Sequence, residues 1–290
     1  MRRSATSSCS GALLALAACH APSEADSATP TSCDSAQQTR IGVMSAITWG
    51  RAADDGTSPG FDLDGIVSTS SDPRGCKIAD YVSPEGVPGI DNGFARVLPT
   101  LDLTEAVAVE GLIAQSIAAG DLLVSLELTG VDDTQNDDCV GLTIGRAKGD
   151  VLLGTDGTLE PGQTFDRDPD LPSVHFDGLS IVDGRVLGTP LDWSLPLTIF
   201  DVSVDFALSG GTLQVDLDPE GGMTGVIGGA VSTAYIVDIA GSENVDPALV
   251  GIVSSLLDAT ADLNPDSDGV CQDISVNLEY QAIDAWFYED

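Results

Sequence analysis

Between Ile41 and Tyr280, apolar side chains return at every second position in one short run after another, and that period commits the chain to antiparallel sheet. Ile41, Val43, Ile47 and Trp49 hold the odd positions of RIGVMSAITWGR. Leu122, Val124, Leu126 and Leu128 alternate with Ser125, Glu127 and Thr129, and Val140, Leu142 and Ile144 resume the pattern after an acidic turn. Asp183-Gly184 between LSIV and RVLG is a two-residue hairpin signal, because a type I′ turn needs positive φ at both central positions. Val202 to Leu208 and Leu213 to Leu217 read as strands joined by a turn at Gly210-Gly211. A looser turn at Asp218 to Gly222 leads into MTGVIGGAVS, and Ile274, Val276, Leu278 and Tyr280 form a last strand. The expected fold is mainly β, an antiparallel sandwich or barrel-like meander with two or three accessory helices.

Helical punctuation is confined to a few places. Asp91 is placed to cap a short helix ending before Pro99. Thr104-Glu105 opens a second, with Val107, Leu112, Ile113 and Ile117 on its apolar side and Gly120 as its stop. Asp246-Pro247 starts a third, whose stripe of Leu249, Ile252, Val253, Leu256 and Leu257 runs to about Leu263. Residues 51–90 are rich in Gly, Pro, Asp and Ser and carry little period, and a loop of that length in a compact domain is usually functional or pinned.

The N-terminus reads as an export signal. Met1-Arg2-Arg3 is basic, Gly11 to Ala18 is apolar but too short to span a bilayer, and Leu16-Ala17-Ala18-Cys19 is a lipobox. Residues 1–18 are expected to be a lipoprotein signal peptide, with Cys19 the lipidated first residue. The alternative is ordinary cleavage after Ala15 to Ala17. Residues 19–39, rich in Ala, Ser, Thr and Pro, read as a flexible tether, and 40–290 as one mainly β domain. His20 after the cysteine favours outer-membrane sorting, so the expected place is the outer membrane or periplasm, held by a lipid anchor.

A formal charge of −35 repels nucleic acid and anionic lipid surfaces, which excludes nucleic-acid partners. Cys9 leaves with the signal and Cys19 takes the lipid. Cys33, Cys76, Cys139 and Cys271 remain in an oxidising compartment as two expected disulfides. Joining the tether to the long loop and the two acid-flanked loops to one another gives Cys33–Cys76 and Cys139–Cys271. No C-x-x-C pair and a single domain histidine, His175, exclude a structural zinc site. His175 alternates with Val174 and Phe176 and reads as a hydrogen-bonded strand residue. There is no G-x-S-x-G, H-E-x-x-H or P-loop pattern, so no catalytic residue is assigned.

The clearest chemical motif is Asn264-Pro265-Asp266-Ser267-Asp268-Gly269, the first half of a D-x-D-x-D-G calcium loop. Asn264, Asp266 and Asp268, the Val270 carbonyl and Gln272 or Asp273 are the expected Ca2+ ligands. Position twelve is Ser275 rather than glutamate and a strand follows, so this is not an EF-hand, and the expected affinity is on the order of 0.1–1 mM. Weaker acid clusters are Asp62, Asp64, Asp72 and Asp80 with Asp91-Asn92-Gly93, and Asp132, Asp133, Asp137 and Asp138 around Cys139. In so acidic a chain, solvated turns explain them.

GFDLDG (Gly60 to Gly65), Gly75-Cys76, Asp80, Ser83-Pro84 and Gly89-Ile90-Asp91-Asn92, with Asp268-Gly269-Val270-Cys271 and Ile274-Ser275, resemble a family of uncharacterised exported bacterial lipoproteins. The resemblance implies localisation and a domain spanning most of residues 40–290, and carries no chemistry. The function expected is a lipid-anchored cell-envelope protein with a binding or structural role toward a protein or envelope ligand, stabilised by calcium. The alternative is a carboxylate-dependent hydrolase of envelope or extracellular polymer. An aromatic content of 5% is thin for a sugar-stacking cleft.

Overall fold

The computed structural model describes residues 38–101, 108–199, 202–219, 221–242 and 247–288. Residues 1–37, with the lipobox and Cys33, lie outside the described residues. In chain order the strands are β1 (Gln38–Trp49), β2 (Tyr81–Val82), β3 (Pro88–Ile90), β4 (Leu123–Val131), β5 (Asn136–Lys148) and β6 (Gln163–Arg167), then β7 (Val174–Val182), β8 (Arg185–Ile199), β9 (Val202–Leu217), β10 (Met223–Ser232), β11 (Leu263–Pro265) and β12 (Cys271–Phe287). The helices are α1 (Leu98–Leu101), α2 (Ala108–Ala119), α3 (Thr233–Ser242) and α4 (Pro247–Thr260). No helix among the described residues is long and apolar enough to cross a membrane.

Of the two architectures the alternation allows, the chain adopts the barrel. Strands β1, β4, β5, β7, β8, β9, β10 and β12 pair in that order, each antiparallel to the next, and β12 returns to β1 through the register Thr48↔Glu279. A barrel of eight strands has an interior that side chains can fill. Leu126, Leu128, Val140, Leu142, Ile144, Leu213 and Val215 are all fully buried there. These are the positions that the period of two selects. Strand β6 bridges the ends of β5 and β12 and is parallel to the latter. Helix α2 packs on β1, burying Ile113 and Ile117, and the Glu110 carboxylate accepts the Trp49 N–H at 2.9 Å.

Asp183 and Gly184 have φ of 52° and 80°, the mirror-image turn their sequence requires, and Val182 pairs with Arg185 across it. Gly210-Gly211 is not a turn. Strand β9 runs straight through it, and Gly210 at φ 58° forms an irregularity whose N–H is taken by Asp192 Oδ1 at 2.8 Å. A Cβ on Gly211 would lie 2.1 Å from the Gly228 carbonyl, so the pair of glycines permits close strand approach rather than reversal.

Of the three expected helix starts the first differs in detail, Thr104-Glu105 and Asp246 lie outside the described residues, and α4 begins at Pro247. Asn92, not Asp91, caps the 3-10 turn Gly93–Arg96, accepting the Ala95 N–H at 3.3 Å, and Pro99 lies within α1 rather than after it. Helix α2 stops at Gly120, φ 82°, as expected. Helix α4 ends at Thr260, and α3 follows β10 directly, with Ser232 Oγ accepting the Tyr235 N–H at 3.4 Å as its cap.

Candidate functional site

The long segment between β1 and α1 is pinned to the barrel wall by buried polar groups. Gly50 N–H bonds to the Asn277 carbonyl at 2.7 Å, and Asn277 Nδ2 donates to the Asp91 carbonyl at 2.7 Å. Asn92 Nδ2 donates to the Gly50 carbonyl (2.9 Å) and to Ser58 Oγ (2.8 Å). Gly93 N–H donates to Ser275 Oγ at 2.6 Å, while the Ser275 N–H and hydroxyl both donate to the Asp262 carboxylate. Gly60, at φ 145°, lies so close that a Cβ would sit 2.5 Å from Asn277 Nδ2, which makes glycine obligatory there.

Cys76 is bonded to Cys271 with Cα atoms 6.0 Å apart, which corrects the pairing expected from the sequence. That bridge joins the long segment to the start of β12, two places 195 residues apart. Loop adjacency of this kind follows from barrel closure, not from spacing. Cys139 is disulfide-bonded as well.

Asp62, Asp64 and Asp91 bring one carboxylate oxygen each to within 4.8 Å of one another. Two are held by local hydrogen bonds: Asp62 Oδ1 accepts from Gly65 N–H (2.7 Å) and Ile66 N–H (3.1 Å), and Asp64 Oδ1 from Ile66 N–H (2.8 Å). Asp91 is buried and its Oδ2 accepts the Leu63 N–H at 2.7 Å. Burial drives its carboxyl up to about 8, and repulsion from Asp262, Asp64 and Asp80 adds to the rise against the Leu63 hydrogen bond. Burial also lifts Asp262 to about 6 against the two Ser275 hydrogen bonds, and raises Asp64 and Asp80. Arg96 supplies the nearby positive charge, donating to Tyr81 Oη at 2.6 Å and to the Ala79 carbonyl.

In the 264–273 turn the acidic side chains bond to the turn itself. Asp266 Oδ1 accepts from the Asp268 and Val270 N–H groups at 2.9 and 3.0 Å, and its Oδ2 from Gln272 Nε2 at 3.3 Å. The Val270 carbonyl accepts from Gln272 Nε2 at 2.8 Å, and Asn264 Nδ2 donates to Asp273 Oδ2. These oxygens close a tight turn between β11 and β12. Among the described residues, the carboxylates that converge in a group of three are Asp62, Asp64 and Asp91. The other acid cluster also serves its own turn, with Asp137 Oδ2 accepting from Asp132 N–H at 2.6 Å. His175 is hydrogen-bonded on the strand surface, Nδ1 with Thr143 Oγ1 at 2.7 Å and Nε2 with Asp177 at 2.9 Å.

A cleft of about 490 Å³ lies on the outer wall of the barrel beneath the pinned segment. Its floor is a lattice of outward side chains fixed by register: Thr48 beside Glu279, Gln281 beside Thr224, Thr224 beside Asp216, and Asp216 beside Arg185. Pro59, Gly60, Ser83, Pro84 and Glu85 form the walls. Arg185 bonds Asp216 at 2.6 Å and lies 3.9 Å from Glu85. No sequence motif marks this site, because its residues come from five strands and two loop segments. Their common signal is an outward parity that means nothing until the register is known. The chain matches no protein-family model, no curated protein and no solved structure.

Proposed function

We propose that this is an exported, lipid-anchored cell-envelope protein whose barrel presents the cleft as a binding site. The cleft supports this reading best: its volume falls in the range of small-molecule sites, and one side of it is a loop held rigidly by buried hydrogen bonds and a disulfide. The acids favour binding over hydrolysis. Asp216 is occupied by Arg185 and by Gln214 Nε2 (2.7 Å) and Glu85 lies 3.9 Å from Arg185, so among the described residues lining the cleft Glu279 is the one carboxylate left without a partner, where hydrolysis calls for two. The test is amide-resolved NMR of the protein with fractionated envelope material. Shifts gathered on Thr48, Gln214, Thr224 and Gln281 support a binding cleft, new product signals in the same tube favour the hydrolase, and no shift at these positions refutes the binding role.

The lipobox places the anchor on Cys19. A single acyl chain binds membranes only marginally and stable attachment takes two or more; the diacylglycerol of a lipoprotein cysteine provides them. Cys19→Ala is therefore expected to move the protein from the membrane pellet to the soluble fraction. Mass spectrometry finding an unacylated mature N-terminus would end this reading.

Calcium belongs to the same proposal. Asp62 helps raise the Asp64 carboxyl and Asp64 helps raise that of Asp91, and a divalent cation would displace the Asp91 proton and offset this repulsion while stiffening the wall of the cleft. At a hundredfold excess over Kd, calcium should add about 2.7 kcal/mol to the unfolding free energy. Thermal unfolding of wild type, Asp62→Asn/Asp64→Asn and Asp266→Ala/Asp268→Ala, each with calcium or chelator, locates the effect by which variant loses it. An unchanged wild-type midpoint rules calcium out.

A further inference from the structure

We infer that the cleft takes a cationic ligand, a primary amine or guanidinium, seated on Glu279. This rests on the cleft being the binding site and names what enters it. Three carboxylates line the cleft, Glu85, Asp216 and Glu279, against the single guanidinium of Arg185. Arg185 is committed to Asp216, with Glu85 at the edge of its reach. Glu279 makes no hydrogen bond or ion pair with any described residue. It stands in the middle of the floor between Thr48 on β1 and Val226 on β10, and desolvation alone raises its carboxyl. A carboxylate so placed lacks the donor that a cation would bring.

A neighbouring polar group is sealed beneath the wall. Asn277 lies two residues before Glu279 on the same outward face of β12, and only 1% of it is exposed. Its Nδ2 is fixed on the Asp91 carbonyl, which sets the amide orientation, and its Oδ1 has no partner. That oxygen lies over Gly228 of β10, 2.2 Å from where a Cβ would be, and 2.9 Å from the Cβ position of Gly60, so it sits under the cleft wall and not in the cleft. The charged acceptor exposed on the floor is complementary to a ligand that brings N–H donors. Thr48, Thr224 and Gln281 border the same floor with side chains that make no hydrogen bond to any described residue, and they face the remainder of such a ligand. The charge of −35 draws cations toward the whole surface, and the cleft converts that diffuse attraction into a position.

The experiment is calorimetric and NMR titration with agmatine, which carries a guanidinium and an ammonium, beside glucose and citrate as neutral and anionic probes. Agmatine should saturate and shift the amides of Thr48, Thr224 and Gln281. Glu279→Gln, a change at an exposed side chain, should weaken it about tenfold or more. Glu160→Gln, removing an exposed acid outside the cleft, should leave it within about twofold. Equal weakening in both variants, or none in Glu279→Gln, reduces the effect to general attraction and overturns the proposal. Glucose or citrate shifting the cleft amides while agmatine does not overturns the cationic class but keeps the binding cleft. Silence at these amides from every probe and from envelope fractions removes both.

Discussion

At pH 9, in chelator, Asp91→Asn is expected to be more stable than the wild-type protein, although the same substitution changes little at pH 5. Asp91 has a folded-state pKa of about 8 against 3.8 for the ordinary carboxyl, and Asp262 one of about 6. A raised carboxyl holds a proton in the folded protein that the unfolded chain has already released. Its stabilising contribution is complete below about pH 4 and is lost as pH rises through the folded value. Stability should therefore fall between pH 4 and 6 through both groups, continue to fall to about pH 8 through Asp91, and then level off. One unit corresponds to about 1.4 kcal/mol, so the descent due to Asp91 should amount to at least about 3 kcal/mol. Asparagine is neutral throughout and keeps an oxygen for the Leu63 N–H. Its profile should lose the segment above pH 6 and retain the part owed to Asp262, where the Ser275 hydrogen bonds persist. Urea unfolding at pH 5, 7 and 9 measures this directly, and parallel profiles for the two proteins would show that Asp91 does not titrate in that window.

Where one residue's environment is set by its neighbours in sequence, the sequence was legible. Val140, Leu142 and Ile144 alternate because β5 has one wall-side and one core-side face, and Asp183-Gly184 turns because those two residues accept positive φ locally. The same reasoning failed at Gly210-Gly211, where the positive φ of Gly210 serves an irregularity within β9 and Gly211 answers to the Gly228 carbonyl on the next strand. Closure was equally out of reach. A sandwich and a barrel share their alternation, and only the return of β12 to β1 distinguishes them. That closure carries the rest with it. It sets Cys271 beside Cys76 and hence the disulfide pairing. It also lines Thr48, Glu279, Thr224 and Asp216 across four adjacent strands into a floor that no linear motif could announce. Asp62, Asp64 and Asp91 were visible as acids in a long loop. What hid their convergence is the bridge between Phe61 and Asp91, a contact across thirty residues of irregular chain.

Removing the Cys76–Cys271 bridge should produce the other large effect, and most of it should be felt in the unfolded chain. The bridge spans 195 residues, close to the longest loop this domain can close, and cross-links of long loops remove the most conformational entropy from the denatured ensemble. Cys76→Ser/Cys271→Ser is expected to lower the unfolding free energy by about 2–4 kcal/mol. The barrel itself should persist, because its ladders and core do not involve either sulfur. A second consequence is local. Cys76 and Lys77 both hold positive φ, at 54° and 63°, a conformation costly for residues with a Cβ and maintained here by the bridge on one side and by the Lys77 N–H to Asp72 carbonyl hydrogen bond on the other. Without the bridge that corner should relax, and the walls it supports, from Ser83 to Glu85, should lose protection against amide exchange before the strands do. Hydrogen exchange on the two proteins separates the two effects: a loss confined to residues 51–90 in native conditions, with a lower global midpoint in denaturant. Uniform loss across β4, β5 and β9 would mean instead that the bridge holds the barrel shut, and that the cleft and the core are a single cooperative unit.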